Sequence, residues 1–199
     1  MSIMYLALML TLVAYLFGSF SSAVIACKAL GHPDPRHSGS GNPGATNVLR
    51  LYGKTAAVIT LAGDLLKGLL PLLIGKSLLV PDATLAAMGV AAFVGHLYPI
   101  FFGFHGGKGV ATFIGVLYGI AWPLGAVFML EWLAVALIFR YSSLSALVAA
   151  ASTPFLVPIF AISPYFLMSI STMVLLIYWR HRANIRNLLQ GSEHKIGAS

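Results

Sequence analysis

Apolar residues fill this chain in runs near residues 3–27, 55–75, 84–104, 110–139, 143–163 and 165–179, separated by short polar stretches. About 20 apolar residues suffice to cross a bilayer. A chain built this way is expected to be an all-α integral membrane protein, one membrane-embedded domain over residues 1–199 with no fixed-period repeat. Its charged fraction of 9% is too low for a soluble domain of 199 residues. The formal net charge of +7 comes from basic residues flanking apolar runs, where they set topology, so nucleic acid is excluded as a partner. Cys27 is the single cysteine; no internal disulfide can form, and neither a metal site nor a cofactor is expected.

No basic residue precedes the first run, and at about 25 residues it exceeds the apolar core of a signal peptide. It reads as a retained span. The sequence ValIleAlaCys at 24–27 faintly resembles a lipoprotein cleavage site, but Lys28 follows the run where a basic segment should precede it.

The run at 110–139 is either one long helix or two short ones broken at Ala121, Trp122 and Pro123, since a proline inside a helix removes a hydrogen bond and clashes with the preceding turn. Basic residues accumulate in cytoplasmic loops. With two spans, Lys28, Arg36, Arg50, Lys54, Lys108, Arg140, Arg180, Arg182, Arg186 and Lys195 all fall on the cytoplasmic side, leaving Lys76 outside and Lys67 within a span. With one span they divide evenly. Seven transmembrane helices are therefore expected, N-terminus outside and C-terminus cytoplasmic. The 12 residues 110–121 rise only about 18 Å, so this helix should begin earlier, near the glycine loop before it, or thin the membrane.

Three polar islands then share the cytoplasmic face: GSGNPGATNVLR at 39–50, HGGKGVAT at 105–112 and the basic tail 180–195. Consecutive backbone N–H groups, hydroxyls and a guanidinium are what a phosphate requires. In the first island Ser40, Gly41, Asn42, Thr46, Asn47 and Arg50 can all engage oxygen. In the second, Gly106, Gly107 and Gly109 let the backbone approach a ligand while Lys108 supplies a point charge. In the tail, Arg180, His181, Asn184 and Glu193 are expected to extend the last helix, with His181 and Asn184 on one face; Arg182 and Arg186 also suit anionic lipid headgroups. GSGNPG satisfies the GxGxxG pattern, and Asp64 stands twenty residues after Gly44, but the motif follows a transmembrane helix and not a strand, which rejects a dinucleotide fold.

Asp64 and Lys67, three apart inside the second span, are expected to form a structural ion pair near the cytoplasmic end. His96, in the third span, is assigned a satisfied packing or hydrogen-bonding role. Glu131, between Phe128 and Trp132 in the fifth, suggests no role.

TyrLeuPheGlySer at 15–19, the GSGNPGATNVLR loop, AspLeuLeuLysGly at 64–68, GHLYPIFFGFHGGKGVAT at 95–112, ArgTyrSerSerLeu at 140–144 and the tail's RHRANI and GSEHK together resemble the bacterial acyl-phosphate-dependent glycerol-3-phosphate acyltransferases, the PlsY family. The resemblance covers nearly the whole chain. It implies seven membrane helices with the N-terminus outside, a bacterial cytoplasmic (inner) membrane location, and a site on the cytoplasmic face. The implied reaction converts acyl phosphate and glycerol 3-phosphate into 1-acyl-glycerol 3-phosphate without coenzyme A or acyl carrier protein, a step of phospholipid synthesis.

Residue by residue, the resemblance places Ser40, Asn42, Thr46, Asn47 and Arg50 in a first motif, Gly106, Gly107, Lys108 and Gly109 in a second, and His181, Asn184 and Glu193 in a third, with Ser143 as the serine after the fifth helix. His105 departs from the family, whose members often carry another basic residue such as lysine there. Arg50, Lys108 and His181 are the expected catalytic groups, and the remainder bind phosphate and glycerol. Two phosphorylated substrates need two anion sites, and an acyl phosphate is activated enough that no protein nucleophile is required. A phosphate-ester transporter is the alternative. It would place its binding groups near the midplane of related repeats, whereas these cluster at one interface.

Overall fold

The computed structural model describes residues 3–160 and 162–197, so residue 161, within the expected run 143–163, lies outside them. Ten α-helices and no strand occur among the described residues. They are α1 (Ile3–Gly18), α2 (Ser22–Ala29), α3 (Ala45–Tyr52), α4 (Lys54–Ser77), α5 (Asp82–Leu97), α6 (Val110–Ile120), α7 (Trp122–Phe139), α8 (Ser142–Ile159), α9 (Pro164–Arg180) and α10 (Arg182–Leu189).

Helices occupy every stretch expected to span, but length and composition alone qualify fewer than seven. Four helical segments, at 54–77, 82–102, 122–139 and 142–159, are long and apolar enough. A fifth is the pair α1 and α2, which bends by 44° where the Ser21 hydroxyl caps α2. The break expected near Pro123 is present: Ala121 is extended, α6 stops before it and Pro123 stands in the first turn of α7.

The expected earlier start of α6 is not. Gly109 adopts φ +89, which closes off helix propagation toward the glycine loop and leaves 11 residues, rising about 16 Å. Such a short helix is accommodated because it is wrapped in protein. Thr112 through Leu117, Gly119 and Ile120 are all buried, and a helix with no lipid-facing side has no hydrocarbon thickness to match.

Glycines bring α6 against α4. A Cβ at Gly68 would lie 2.1 Å from the Thr112 carbonyl oxygen, and one at Gly115 would lie 2.0 Å from that of Leu65. Helix backbones this close gain dispersion contacts, the main force available to helices that already sit in an apolar solvent. Phe93 of α5, Phe113 of α6 and Phe128 of α7 then pack edge-to-face, with centroids 6.2 and 5.6 Å apart, and carry the core from helix to helix. By contrast, only 17% of the α7 span is buried.

The tail is not one extended helix. His181 interrupts it between α9 and α10, and Gly191 at φ +69 turns the chain so that Glu193 folds back toward α8. Arg140, at φ +63, ends α7, and its carbonyl accepts from Ile196 N–H at 2.6 Å.

Candidate active site

The first island is a loop held from within. Asn47 is 2% exposed; its amide nitrogen donates to the carbonyls of Pro35 (3.1 Å) and Ser38 (3.2 Å), and its oxygen accepts from Ser40 N–H at 3.0 Å. An amide engaged on both sides shapes the loop and has little left for a ligand, a reason for Asn47 different from the binding role its sequence suggested. Arg36 ties this loop to the second. Its guanidinium pairs with Asp34 at 2.7 Å, holding that carboxyl below its ordinary range, and donates to the Phe102 carbonyl at 2.9 Å.

The second island lies beneath the third. Gly106 and Gly107 are buried, and their carbonyls accept from Arg180 at 2.8 and 3.1 Å. Lys108 follows, donating to Asn184 Oδ1 at 2.6 Å. The Asn184 amide donates to Glu193 Oε1 at 2.7 Å, and the Ser143 hydroxyl donates to the same oxygen at 2.6 Å. Arg50 reaches the His194 carbonyl at 3.4 Å, and Thr46 and Ser142 hydroxyls lie 3.3 Å apart. Lys108, Asn184, Glu193 and Ser143 thus form one polar chain that joins the second island, α10, the tail and α8.

Burial lowers the Lys108 ammonium below its ordinary pKa; Glu193 opposes the shift, while Arg180 and Arg50 add to it. Burial, and then the Lys108 charge, pushes His181 down to about 4, so its imidazole is neutral at pH 7. Its Nδ1 lies 2.8 Å from the Ile177 carbonyl. A neutral imidazole donating there leaves Nε2 as the lone-pair nitrogen.

These groups surround one cavity of about 420 Å³. Its polar part is lined by Ser40, Asn42, Thr46, Asn47, Arg50, Lys108, Gly109, Ser142, Ser143, His181, Asn184, Glu193 and His194. Its apolar part is lined by Leu61 of α4, Ile114 of α6, Met129, Leu130, Trp132 and Leu133 of α7, and Ala146 of α8. Leu61, Met129, Leu130 and Leu133 are exposed at the helix surface, so this part opens sideways toward lipid. A charged, hydrogen-bonded end continuous with an apolar corridor suits an amphiphile with an anionic head.

Of the site residues expected from sequence, Gly41, Gly106 and Gly107 do not line the cavity. Gly41 turns the loop at φ +68, and the other two lie behind Lys108. Asp64 and His96 do line it, although sequence gave them structural work. The expected pair is present, with Lys67 Nζ 2.9 Å from Asp64 Oδ1, but His96 is not satisfied as expected: its Nδ1 is buried without a hydrogen bond, 3.5 Å from the same Asp64 oxygen. Ionisable residues within spans were the one signal that pointed to both. Glu131 accepts from the Ser152 hydroxyl, joining α7 to α8. No cluster of metal-ligating residues occurs among the described residues.

Residues 8–191 match the family of glycerol-3-phosphate acyltransferases. A glycerol-3-phosphate acyltransferase of Methylococcus capsulatus is 57% identical over 185 residues, covering 93% of each chain. One of Thioalkalivibrio sulfidiphilus is 53% identical over 194 residues, covering 98% of this chain and 96% of its own. The crystal structure of PlsY, an integral membrane glycerol 3-phosphate acyltransferase, in its glycerol 3-phosphate form superposes with a TM-score of 0.91 at 41% identity, covering 96% of both chains. Its lysophosphatidic acid form gives 0.89 at 40% identity, covering 96% of this chain and 95% of that one.

Proposed function

Because the chain belongs to the glycerol-3-phosphate acyltransferase family, we propose that its cavity joins acyl phosphate to glycerol 3-phosphate, acylating the sn-1 hydroxyl to give 1-acyl-glycerol 3-phosphate and inorganic phosphate. The protein is an integral membrane acyltransferase of phospholipid biosynthesis. The observation that carries the finer reading is the continuity of the cavity, with Arg50 and Lys108 among hydrogen-bonding groups at one end and a lipid-open corridor at the other. The polar end holds both phosphates and the corridor takes the acyl chain.

In this reading the sn-1 oxygen attacks the acyl carbonyl carbon, a new ester C–O bond forms, and the C–O bond to phosphate breaks. Phosphate leaves with the bonding electron pair and takes up the hydroxyl proton, ending as hydrogen phosphate. His181, pushed down to about 4, is a weaker base than that phosphate and serves chiefly to orient substrate. Arg50 and Lys108 stabilise charge on the departing oxygens, while Ser40, Asn42 and Thr46 hold the two anions for attack. Glu193 repels phosphate directly and acts by fixing Asn184 and Ser143.

Purified protein supplied with acyl phosphate and glycerol 3-phosphate should release inorganic phosphate and lysophosphatidic acid in equal amounts, and acyl coenzyme A should not replace the donor. Turnover on acyl coenzyme A alone would overturn the donor assignment.

Seven spans in a bacterial inner membrane, with the site on the cytoplasmic face, complete the proposal, and the distribution of basic residues supports it. Single cysteines at the exposed positions His37, His105 and Ser192, in a Cys27→Ala background, should label from the cytoplasmic side alone. External labelling at Ser192 would restore six spans.

A further inference from the structure

Gly106 and Gly107 carry no ligand-facing group, yet they are gripped from both sides. On one side are the two Arg180 contacts. On the other lies His96: Gly107 N–H donates to its carbonyl at 3.2 Å, and a Cβ at Gly107 would sit 2.2 Å from its Nε2. A Cβ at Gly106 would meet the His96 carbonyl oxygen at 2.0 Å. The loop therefore rests on both the backbone and the ring of His96. Behind the ring, Nδ1 faces Asp64 at 3.5 Å, Asp64 meets Lys67 at 2.9 Å, and Lys67 donates to the Phe20 carbonyl at 2.9 Å, in the break between α1 and α2. The three side chains are no more than 5% exposed. A buried ionic chain is weak evidence for added stability, but it specifies one arrangement of the groups that it joins.

We propose that His96 is a positioning residue for acyl transfer: braced by Asp64 and Lys67, its imidazole sets the height of the Gly106–Gly107 backbone and thereby aims Lys108 into the cavity. The brace reaches from the α1–α2 break through α4 and α5 to the residue before Lys108. His96 also forms part of the cavity wall, but its Nδ1 is buried against Asp64 and its Nε2 lies against the Gly107 backbone, so it acts through the loop. The inference rests on the reading of Lys108 as a phosphate-holding group.

A double-mutant cycle on phosphate release from acyl phosphate tests it, because residues acting through one another are non-additive. His96→Ala should lower kcat by about 100-fold, as expected when a catalytic group is misplaced by about 1 Å, with the melting temperature close to that of the parent. In a Lys108→Ala background the same substitution should change kcat by less than about twofold. Equal losses in both backgrounds, or wild-type turnover in His96→Ala, would overturn the role of His96 while leaving the site reading intact. Wild-type turnover in Lys108→Ala alone would overturn both. Should His96→Ala fail to accumulate folded, His96→Asn enters the same cycle with the same criteria.

Discussion

The two ends of the cavity are built on opposite principles. At the polar end, Lys108, Asn184, Glu193 and Ser143 are joined by bonds of 2.6–2.7 Å across four segments of chain. At the apolar end, Leu61, Met129, Leu130 and Leu133 line the same cavity and are exposed toward lipid. The difference follows from what each end must recognise. An anion is held by donors whose directions are fixed before it arrives, whereas an acyl chain needs only an apolar surface and tolerates many shapes of it.

The contrast breaks if the polar end proves tolerant. Lys108→Ala removes a charge-assisted contact worth roughly 1.5–3 kcal/mol, or about 10- to 150-fold in rate. Steady-state assays should show that loss at every acyl-chain length, with thermal stability unchanged. A loss confined to long or short donors would mean that Lys108 reads the chain and not the phosphate.

A second test concerns protons. His181 has a folded pKa of about 4 against an ordinary 6.5. The unfolded chain therefore binds this proton first, and stability is full above about 6.5 and is lost as pH falls toward 4, by up to about 3 kcal/mol. Melting curves of wild type and His181→Gln between pH 7 and 4 should converge on acidification, because glutamine has no such proton to bind. Parallel curves would show that His181 is not held neutral at this end. No comparable dependence is expected from the corridor, which has no titratable side chain among Leu61, Ile114, Met129, Leu130, Trp132, Leu133 and Ala146.

The smallest effect belongs to the corridor. Leu130 is 66% exposed, so Leu130→Ala leaves little cavity and should change kcat/KM by no more than about threefold, varying with acyl-chain length. A uniform loss of more than about tenfold would place fixed recognition at the apolar end as well.

The same contrast explains what could be read from sequence. The three islands were legible because glycine, asparagine, serine and basic residues are conspicuous in an apolar chain, and eleven of the residues that they and Ser143 nominate line one cavity. The break at Ala121 was legible from Pro123. Environment was not. α6 and α7 come from one apolar run, yet one is enclosed by protein and the other faces lipid; composition cannot separate these, because lipid and protein interior are equally apolar. Within α6, Gly115 is where a Cβ would strike another helix backbone, that of Leu65. Likewise, Asn47 and Gly107 look like ligand groups in sequence because shaping a loop and binding a phosphate call for the same residue types. Asp64 and His96 were recognised as buried, but their meeting at the cavity wall depends on how α4 and α5 pack.

The division of the cavity is tested most directly by photocrosslinking with a non-hydrolysable acyl phosphonate that carries a diazirine at the far end of its chain. Mass spectrometry of the labelled protein should locate the adduct on Leu61, Met129, Leu130 or Leu133, and excess glycerol 3-phosphate should leave that position unchanged while a short-chain acyl phosphate abolishes it. Adducts on α1 or α9, or labelling that a short-chain acyl phosphate does not displace, would contradict a site that holds phosphate at one end and the acyl chain at the other.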